Sequence, residues 1–212
     1  MAKRVGIFGT SGMAREARDI AADLGLSVVF VAYNQNELAA FNESDEAILE
    51  SDVGRFTDMP YVIGIGDGAV RRKVAQRFAD KVGFASLIHP AATFGKGQRQ
   101  QVESRQGVIV CAGARLTSNI VVGDFTIFNI NSTVSHDSII GDFVTVCPQS
   151  CVLGNVEVKS GAWIGAGAII HQGTHAAKTT IGENTLIGSG AVVIGDCEAE
   201  SVYAGVPASK IR

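Results

Sequence analysis

The sequence contains little charge, few aromatic residues and no long apolar run. Charged residues account for 18% of the 212 residues and aromatic residues for 7%, whereas globular proteins average about 25% charged residues. Since 46% of the residues are hydrophobic, the chain is not expected to be disordered. The longest apolar runs, such as 26–33, are far shorter than the roughly 18 residues that a membrane-spanning helix requires.

Further absences narrow the class of protein. Only four prolines and no G-X-Y repeat exclude collagen. No cluster of Lys and Arg accompanies the net charge of −3, so a nucleic-acid partner is not expected. No basic stretch followed by an apolar segment and a cleavage site opens the sequence, which predicts a cytoplasmic protein. The four cysteines lack C-x-x-C spacing, which favours small apolar core residues over redox or zinc chemistry.

Glycine, by contrast, is abundant and unevenly distributed. Of the 25 glycines, those up to Gly83 fall in short clusters, whereas those from Gly95 onward recur every few residues. This change predicts an N-terminal domain over 1–86, a linker over 87–107 and a C-terminal domain over 108–212.

The N-terminal domain alternates strand-like and helix-like segments. Apolar runs at 4–8, 28–32 and 61–65 predict three strands. Apolar residues at helical spacing predict two helices; they are Met13, Ala17, Ile20, Ala21 and Leu24 in the first, and Val70, Val74, Phe78 and Val82 in the second. Strands that alternate with helices imply a parallel sheet with crossover helices. We therefore expect a Rossmann-like α/β domain, half of a doubly wound nucleotide-binding fold.

The C-terminal domain repeats every six residues. Eleven successive positions at this spacing are apolar: Val110, Leu116, Val122, Phe128, Val134, Ile140, Val146, Val152, Val158, Ile164 and Ile170. Chance agreement in one frame is about one in five thousand at this composition. The frame resumes at Ile181, Ile187 and Val193.

A period of six identifies the architecture. A helix cannot keep such a stripe on one face, because 3.6 residues per turn does not divide six well. Short parallel strands that turn a corner every six residues can do so, and three of them make one coil of about eighteen residues, stacked at the strand spacing. Small residues suit the corners, where φ can be positive. The repeat thus predicts a narrow three-sided prism with one apolar side chain per repeat inside.

Three segments resemble the hexapeptide-repeat acyltransferases, which have a left-handed parallel β-helix. The end of the chain, YAGVPASKIR (203–212), looks like the G-x-P-A-x-x-I-R terminus of that superfamily. Residues 129–143, NINSTVSHDSIIGDF, look like the catalytic coil of one branch, and LIHP (87–90) resembles its linker. That branch comprises nucleotide-sugar and sialic-acid acetyltransferases. Together with the glycine-rich N-terminal βαβ unit, these segments extend the resemblance over nearly the whole chain. It implies acetyl-CoA as co-substrate, no metal requirement and a homotrimer.

His136 and Asp137 are the candidate catalytic residues. His136 lies two residues after the inward Val134, at a phase that points outward. A neutral imidazole can take the proton of an attacking amine or hydroxyl, and a neighbouring carboxylate can fix its tautomer. Composition alone favours a solvated surface pair. The resemblance implies instead that His136 is the general base and Asp137 the residue that raises its basicity.

The resemblance also implies contacts to acetyl-CoA. The Gly154 amide is a candidate donor to the oxyanion. Thr145 aligns where related enzymes place a histidine that contacts acetyl-CoA. Ala166 and Ser189 fall where family members bind the pantetheine arm through backbone groups, and they serve equally well as corner residues of the coil.

The candidate substrate residues lie on loops of the N-terminal domain and on one β-helix corner. Glycine-rich turns before a helix let backbone N–H groups approach a phosphate. The predicted residues are Gly12, Met13, Ala14 and Arg15 in the first loop, Asn34 after the second strand, Gly66 and Asp67 in the third loop, and Asn129 near the acceptor. Met13 replaces the family's usual histidine, and NAD is not expected because the G-x-G-x-x-G spacing is missing. Asn129 fits a structural ladder of stacked asparagines equally well.

The repeat is interrupted once. Eleven residues instead of six separate Ile170 from Ile181, so about five extra residues, 174–178, must loop out. Zinc binding by His171 and His175 lacks a third ligand at suitable spacing, which favours a surface loop near the CoA channel.

Three functions are compatible with these features. The leading hypothesis is acetyl-CoA-dependent N-acetylation of a nucleotide-linked amino sugar of the 4-amino-dideoxy type, in bacterial surface-glycan synthesis. The alternatives are O-acetylation of a sialic-acid-like sugar, and a non-catalytic hexapeptide protein that serves as a scaffold.

Overall fold

The N-terminal part of the structure, a computed structural model that describes residues 3–212, is a four-stranded parallel sheet. Its elements are β1 (Arg4–Phe8), α1 (Gly12–Asp23), β2 (Ser27–Ala32), α2 (Gln35–Ala40), β3 (Glu46–Leu49), a 3₁₀ helix (Glu50–Arg55), β4 (Tyr61–Ile63) and α3 (Gly68–Phe78). The strand order is β3-β2-β1-β4. None of the helices within residues 3–212 has the length and apolar character needed to cross a bilayer.

The predicted sheet and two helices are confirmed, with two differences. The strand β3, with four residues, and the helix α2, with six, are too short to show an apolar period, and sequence reasoning missed both. In α3 the buried face is rotated: Val70 is 43% exposed, whereas Arg71 is fully buried. The apolar spacing therefore located the helix but not all of its inward residues.

The C-terminal part is a three-sided parallel β-helix. Its first face holds β5 (Leu87–Ile88), β7 (Ile109–Val110), β10 (Ile127–Phe128), β13 (Thr145–Val146), β16 (Trp163–Ile164), β19 (Leu186–Ile187), β21 (Val202–Gly205) and β22 (Ala208–Lys210). Its second face holds β6 (Thr93–Phe94), β8 (Arg115–Leu116), β11 (Thr133–Val134), β14 (Cys151–Val152), β17 (Ile169–Ile170) and β20 (Val192–Val193). Its third face holds β9 (Val121–Val122), β12 (Ile139–Ile140), β15 (Val156–Val158) and β18 (Thr179–Ile181).

The period of six is the interior of this β-helix. All eleven positions of the frame from Val110 to Ile170 are at most 1% exposed, and they form one apolar cluster. Partner residues in successive coils are 18 apart; Ile127, for example, pairs with Ile109 below and Thr145 above. One turn of the chain thus adds one layer of three apolar side chains.

The corners of the β-helix recur with the same period of six residues. Every sixth residue from Gly107 to Gly167 has a positive φ, and most of these residues are not glycine. Asparagine and aspartate tolerate this conformation better than other side chains. Many glycines instead follow the inward residue, where two coils touch: a Cβ on Gly141 would lie 2.6 Å from the Ser160 nitrogen. The expectation that glycine fills the positive-φ corners is therefore only partly right.

The segment 87–107, expected as a linker, carries secondary structure that belongs to the β-helix. β5 and β6 pair with β7 and β8. Between them and β7, α4 (Gln98–Glu103) buries Val102 in the β-helix core. This segment forms a first, incomplete coil, while the domain limits themselves stay a prediction.

The N-terminal domain packs on the first face of the β-helix. Outward residues of this face, Ile109 and Ile127, share an apolar cluster with the residues of β1 and α1. On the other side of the sheet, Phe125 and Phe143 stack with ring centroids 5.1 Å apart, and Phe125 packs in the cluster that contains Val74 of α3.

One buried side chain joins the two domains. The guanidinium of Arg71 is surrounded by carbonyl oxygens from the loop after β4 and from two β-helix coils. Its six acceptors are the oxygens of Ile65 (2.7 Å), Gly66 (2.9 Å), Phe125 (2.7 Å), Phe143 (2.9 Å) and Val144 (3.1 Å), and Oγ1 of Thr145 (3.0 Å). Burial lowers the pKa of Arg71 to about 10, so the group stays charged at neutral pH.

Replacing Arg71 with methionine is expected to destabilise the protein strongly, because the buried acceptors lose their donor. The loss is about 3–5 kcal/mol by analogy with broken buried ion pairs, or a fall in Tm on the order of 10 °C for a chain of this size. Differential scanning calorimetry measures it. Arg55→Met is the matched control, since Arg55 is 81% exposed in a surface ion pair; equal Tm values for the two variants would contradict the assignment.

Candidate active site

His136 and Asp137 form a hydrogen-bonded pair at the corner between the second and third faces. The His136 Nδ1 lies 2.8 Å from Oδ2 of Asp137. The side chain of His136 is 65% exposed, as its outward phase predicts. Because Asp137 occupies Nδ1, the neutral imidazole carries its hydrogen there, and Nε2 is left as an exposed acceptor for a proton.

Asp137 is held by its neighbours on the same corner. Asn119, one coil below, donates its Nδ2 to Oδ1 of Asp137 at 3.2 Å. The hydrogen bond with His136, and after it that with Asn119, holds the pKa of the Asp137 carboxyl below its usual value. The carboxylate is therefore ionised throughout the neutral range and can stabilise an imidazolium.

Gly154 lies one coil above His136, directly against the imidazole ring. A Cβ on Gly154 would lie 2.6 Å from Cε1 and 2.7 Å from Nε2 of His136. Within residues 3–212 the Gly154 amide donates no hydrogen bond. The predicted oxyanion donor thus has a free N–H beside the proposed base.

Two other predicted cofactor residues line the opposite edge of the second face. Ala166 and Ser189 are exposed and stack at the corner between the first and second faces, where the Gly190 amide donates to the Ala166 carbonyl at 2.8 Å. Between the two edges, the outward column of the face includes Cys151, half-buried, and Ile169, 39% exposed. This face presents an apolar strip with backbone groups along both sides.

Thr145 does not belong to that strip, which corrects the prediction of a cofactor contact. It lies on the first face, which the N-terminal domain covers, and is only 2% exposed. Its hydroxyl donates to the Gly66 carbonyl at 2.8 Å and accepts from Arg71. Thr145 therefore secures the contact between the domains.

The first loop of the N-terminal domain meets the β-helix near Asn129. Gly12, the first residue of α1, is exposed, and no atom lies within 4 Å of the position that a Cβ would take there. Met13 Sδ lies 4.0 Å from Nδ2 of Asn129, so two predicted substrate residues from different domains come together. Arg15 is exposed beside them.

The side chain of Ala14 points into the core, and the predicted contact of this loop with a phosphate involves backbone N–H groups. Ala14 is fully buried, and a Cβ on Gly64 would lie 2.6 Å from its Cα. Ala14 packs α1 against the end of β4. Only its backbone faces the loop.

The other predicted loop residues mainly cap helices. Asn34 accepts the Glu37 amide at 2.9 Å at the start of α2, and Asp67 accepts the Val70 amide at 2.8 Å at the start of α3. Gly66 faces Trp163 of the β-helix, whose ring would lie 3.9 Å from a Cβ at this position. These residues shape the loops at the C-terminal edge of the sheet.

Sequence reasoning missed Glu37 at this edge. Its carboxylate accepts hydrogen bonds from Thr10 Oγ1 at 2.5 Å and from the Tyr33 amide at 2.7 Å. Glu37 lies five residues beyond the end of the second strand, in a segment without an apolar period. The presence of an acidic residue shortly after that strand was the only feature of the sequence that could have indicated Glu37.

The cysteines and the remaining histidines show no catalytic arrangement in the described chain. All four cysteines are free thiols, and burial raises the pKa of Cys111 and of Cys147 to about 12. His89 bonds Asp23 at 2.8 Å across the domain contact. Within residues 3–212 no three His, Cys, Asp or Glu side chains gather as a metal site, so His171 and His175 gain no third ligand.

The acceptor loops and the catalytic pair lie at opposite edges of the second face. Asn129 precedes strand β11 and His136 follows it. The six residues from the corner at Asn131 to the corner at Asp137 span at most roughly 20 Å at 3.3 Å per residue. One face of the β-helix therefore separates the predicted acceptor residue Asn129 from His136.

Comparisons with known proteins agree with this architecture. The PglD N-terminal domain family matches residues 4–78. GDP-perosamine N-acetyltransferase of Escherichia coli O157:H7 is 28% identical over 188 residues, 84% of this chain and 82% of that protein.

Two solved structures share the whole fold. A variant of perosamine N-acetyltransferase from Caulobacter crescentus, in complex with CoA and GDP-perosamine, has a TM-score of 0.84 at 24% identity and covers 100% of this chain and 98% of its own. The acetyltransferase domain of PglB from Neisseria gonorrhoeae FA1090, in complex with acetyl coenzyme A, also has a TM-score of 0.84 at 24% identity, over 100% of both chains. They confirm the Rossmann-like domain followed by a left-handed β-helix.

Fold, repeat and site together define a hexapeptide-repeat acyltransferase with an N-terminal α/β domain. Within this class, residues 4–78 match the PglD N-terminal domain family, and the chain as a whole is similar to sugar N-acetyltransferases.

The contact between Gly154 and His136 gives a specific prediction. Gly154→Ala adds a methyl group within 2.7 Å of the imidazole, and the exposed ring must move. We expect the acetyl-transfer rate to fall by about tenfold or more, while Tm changes by no more than a degree or two. Gly195→Ala is the control, because no atom lies within 4 Å of its Cβ position. Equal steady-state rates for the two variants would refute the assigned contact.

Proposed function

We propose that the protein is an acetyl-CoA-dependent N-acetyltransferase that acts on a nucleotide-linked amino sugar, of the 4-amino-dideoxy type, in bacterial surface-glycan synthesis. The observation that carries this proposal is the His136–Asp137 pair, with Nδ1 bonded at 2.8 Å and Nε2 exposed next to Gly154. The family and its relative, which is named as a GDP-perosamine N-acetyltransferase, supply the substrate class. Nucleotide sugars and acetyl-CoA are charged and do not cross bilayers, which fits a cytoplasmic location.

In the proposed step the sugar amine attacks the acetyl thioester directly. The amine nitrogen bonds to the carbonyl carbon while Nε2 of His136 takes its proton, and Asp137 stabilises the imidazolium. The free N–H of Gly154 donates to the oxyanion. The carbon–sulfur bond then breaks, and the CoA thiolate leaves and takes up the proton. A thioester is already activated, so no cysteine nucleophile is needed.

Acetyl-CoA fits the second face. The apolar column through Cys151 and Ile169 offers a surface for the pantetheine arm, and its two edges carry backbone groups at Gly154 on one side and at Ala166 and Ser189 on the other. In this placement the thioester reaches the corner of His136.

The nucleotide fits the C-terminal edge of the N-terminal sheet. The N-terminus of α1, at the open Gly12, suits the diphosphate. A groove of about 280 Å³ lies between β2, the 3₁₀ helix and α3 and is lined by Tyr33, Glu50 and Arg77, among others. This groove suits the nucleobase of the nucleotide sugar. The sugar would extend toward Met13 and Asn129.

The separation of these loops from His136 supports a homotrimer with composite sites. Across roughly 20 Å of the second face, a nucleotide sugar held by one N-terminal domain is better placed for the His136 of a neighbouring chain. A cyclic trimer repeats this contact three times.

Acetyl transfer is expected to depend on the catalytic pair. His136→Ala lowers kcat by about 10²- to 10⁴-fold, the usual range for a general base, and Asp137→Asn lowers it less, because the imidazole remains. The measurement is thiol release from acetyl-CoA with a panel of nucleotide 4-amino sugars. Mass spectrometry of the product distinguishes an amide from an ester. Unchanged turnover in His136→Ala would refute His136 as the base. No turnover by the wild-type protein would leave a scaffold function, and an ester product would favour O-acetylation of a sialic-acid-like sugar.

A composite site predicts complementation between two inactive variants. Gly12→Asp places negative charge at the proposed diphosphate site without a clash, and His136→Ala removes the base. Co-expressed and purified together with two tags, they regain about a third of wild-type activity, because each mixed cyclic trimer has one interface in three with both parts intact. Light scattering should give three times the 22.1 kDa chain mass. A monomer, or mixed assemblies without activity, would exclude composite sites.

A further inference from the structure

The insertion 174–178 is an ordered turn and not a loose loop. Strand partners before and after it are 23 residues apart instead of 18, as in Trp163 with Leu186, so it adds five residues to one coil. The Thr174 amide donates to the Ala177 carbonyl at 2.8 Å. The Thr174 hydroxyl accepts the amides of Ala176 and Ala177 at 3.2 Å. The turn is closed by its own hydrogen bonds.

Asn155 anchors this turn to the corner that carries the catalytic pair. Its Nδ2 donates to the Thr174 carbonyl at 2.6 Å, and its Oδ1 accepts from Nζ of Lys178 at 2.8 Å. Asn155 stacks one coil above Asp137, and both residues have the positive φ of this corner, 59° and 60°. The Asn155 amide donates to the His136 carbonyl at 2.8 Å. The insertion is thereby fixed in register with His136 and Asp137.

Lys178 ends the turn with its ammonium against the peptide of Asp137. Its Nζ donates to the Asp137 carbonyl as well as to Asn155, and its side chain is half-buried. It is the cation of the insertion, and it contacts the one acidic residue of the catalytic pair through that residue's backbone. A charge-assisted hydrogen bond of this kind is stronger than a neutral one.

This contact completes the restraint on Asp137. The Asp137 amide donates to the Ser118 carbonyl at 3.0 Å, Asn119 binds Oδ1, and Lys178 binds the carbonyl. With these three groups held, Oδ2 can face only His136. The left-handed conformation of a non-glycine residue is unfavourable without such support, and a small rotation there would misalign the imidazole.

We infer that Lys178 is a positioning residue for the His136–Asp137 pair, and that the five-residue insertion serves to deliver it. This inference rests on the proposed function, since it assigns a role within the same site. Lys178 touches neither the proposed thioester nor the proton acceptor Nε2, so its effect passes through Asp137.

The test separates kcat from KM and measures coupling to Asp137. In the full-length protein, Lys178→Met lowers kcat by about tenfold, with the KM for acetyl-CoA and for the nucleotide sugar within twofold of wild type. Lys178→Arg restores most of the rate, because it keeps the donor. The control is Lys159→Met, an exposed lysine of the same β-helix that pairs only with Glu157, which leaves kcat unchanged. Removal of 174–178, which restores an 18-residue coil, has the same effect on kcat as Lys178→Met.

A double-mutant cycle provides the decisive comparison. If Lys178 acts through Asp137, adding Lys178→Met to Asp137→Asn costs less than twofold beyond Asp137→Asn alone. The inference would be overturned if the losses of kcat in the two single variants multiply in the double variant, or if Lys178→Met leaves kcat unchanged. It would also be overturned if Lys178→Met raises KM and retains kcat, which would assign Lys178 to substrate binding. Equal Tm values for Lys178→Met and wild type exclude a folding defect, and Lys178→Gln is a second variant if methionine lowers Tm. If Asp137→Asn itself has full activity, both the proposed function and this inference fail.

Discussion

The hydrogen bonds of the buried Arg71 guanidinium fix how the N-terminal domain packs on the β-helix. They join the loop after β4 to two successive corners of the β-helix. All of its acceptors are neutral oxygens, so the charge is solvated by the protein backbone, and no carboxylate is needed. Because this cation cannot be buried without those carbonyls, the N-terminal domain has one orientation on the first face.

That orientation divides the surface of the β-helix between two tasks. The first face is covered, and a residue on it such as Thr145 becomes part of the domain contact. The second face stays open and carries the apolar column that suits a pantetheine arm. His136 lies at the far edge of this open face, away from the loops of its own N-terminal domain. The separation follows from the width of one face of the coil.

Much of this could be predicted from the sequence, and the rest was lost for identifiable reasons. The period of six predicted the interior, the outward phase of His136 and the five extra residues before Ile181. It could not tell which outward face the N-terminal domain covers, so Thr145 was assigned to a ligand. The apolar spacing of α3 placed Val70 on the buried face, because a charged residue such as Arg71 gives no hydrophobic signal. The contact of Lys178 with Asp137 depends on the fold of the inserted turn, which has no repeat to follow.

The hydrogen-bonded pair of His136 and Asp137 is a consequence of the repeat itself. Each coil has a corner residue with positive φ every six positions, and aspartate is among the side chains that accept this conformation. The residue before the corner points outward, so a histidine there meets the carboxylate of its neighbour without any distortion of the coil. The 18-residue stacking then decides what lies above the ring, and only a residue without a Cβ leaves room for it, as Gly154 does. The regular coil thus places a hydrogen-bonded imidazole beside a free amide with only three residues, which are His136, Asp137 and Gly154.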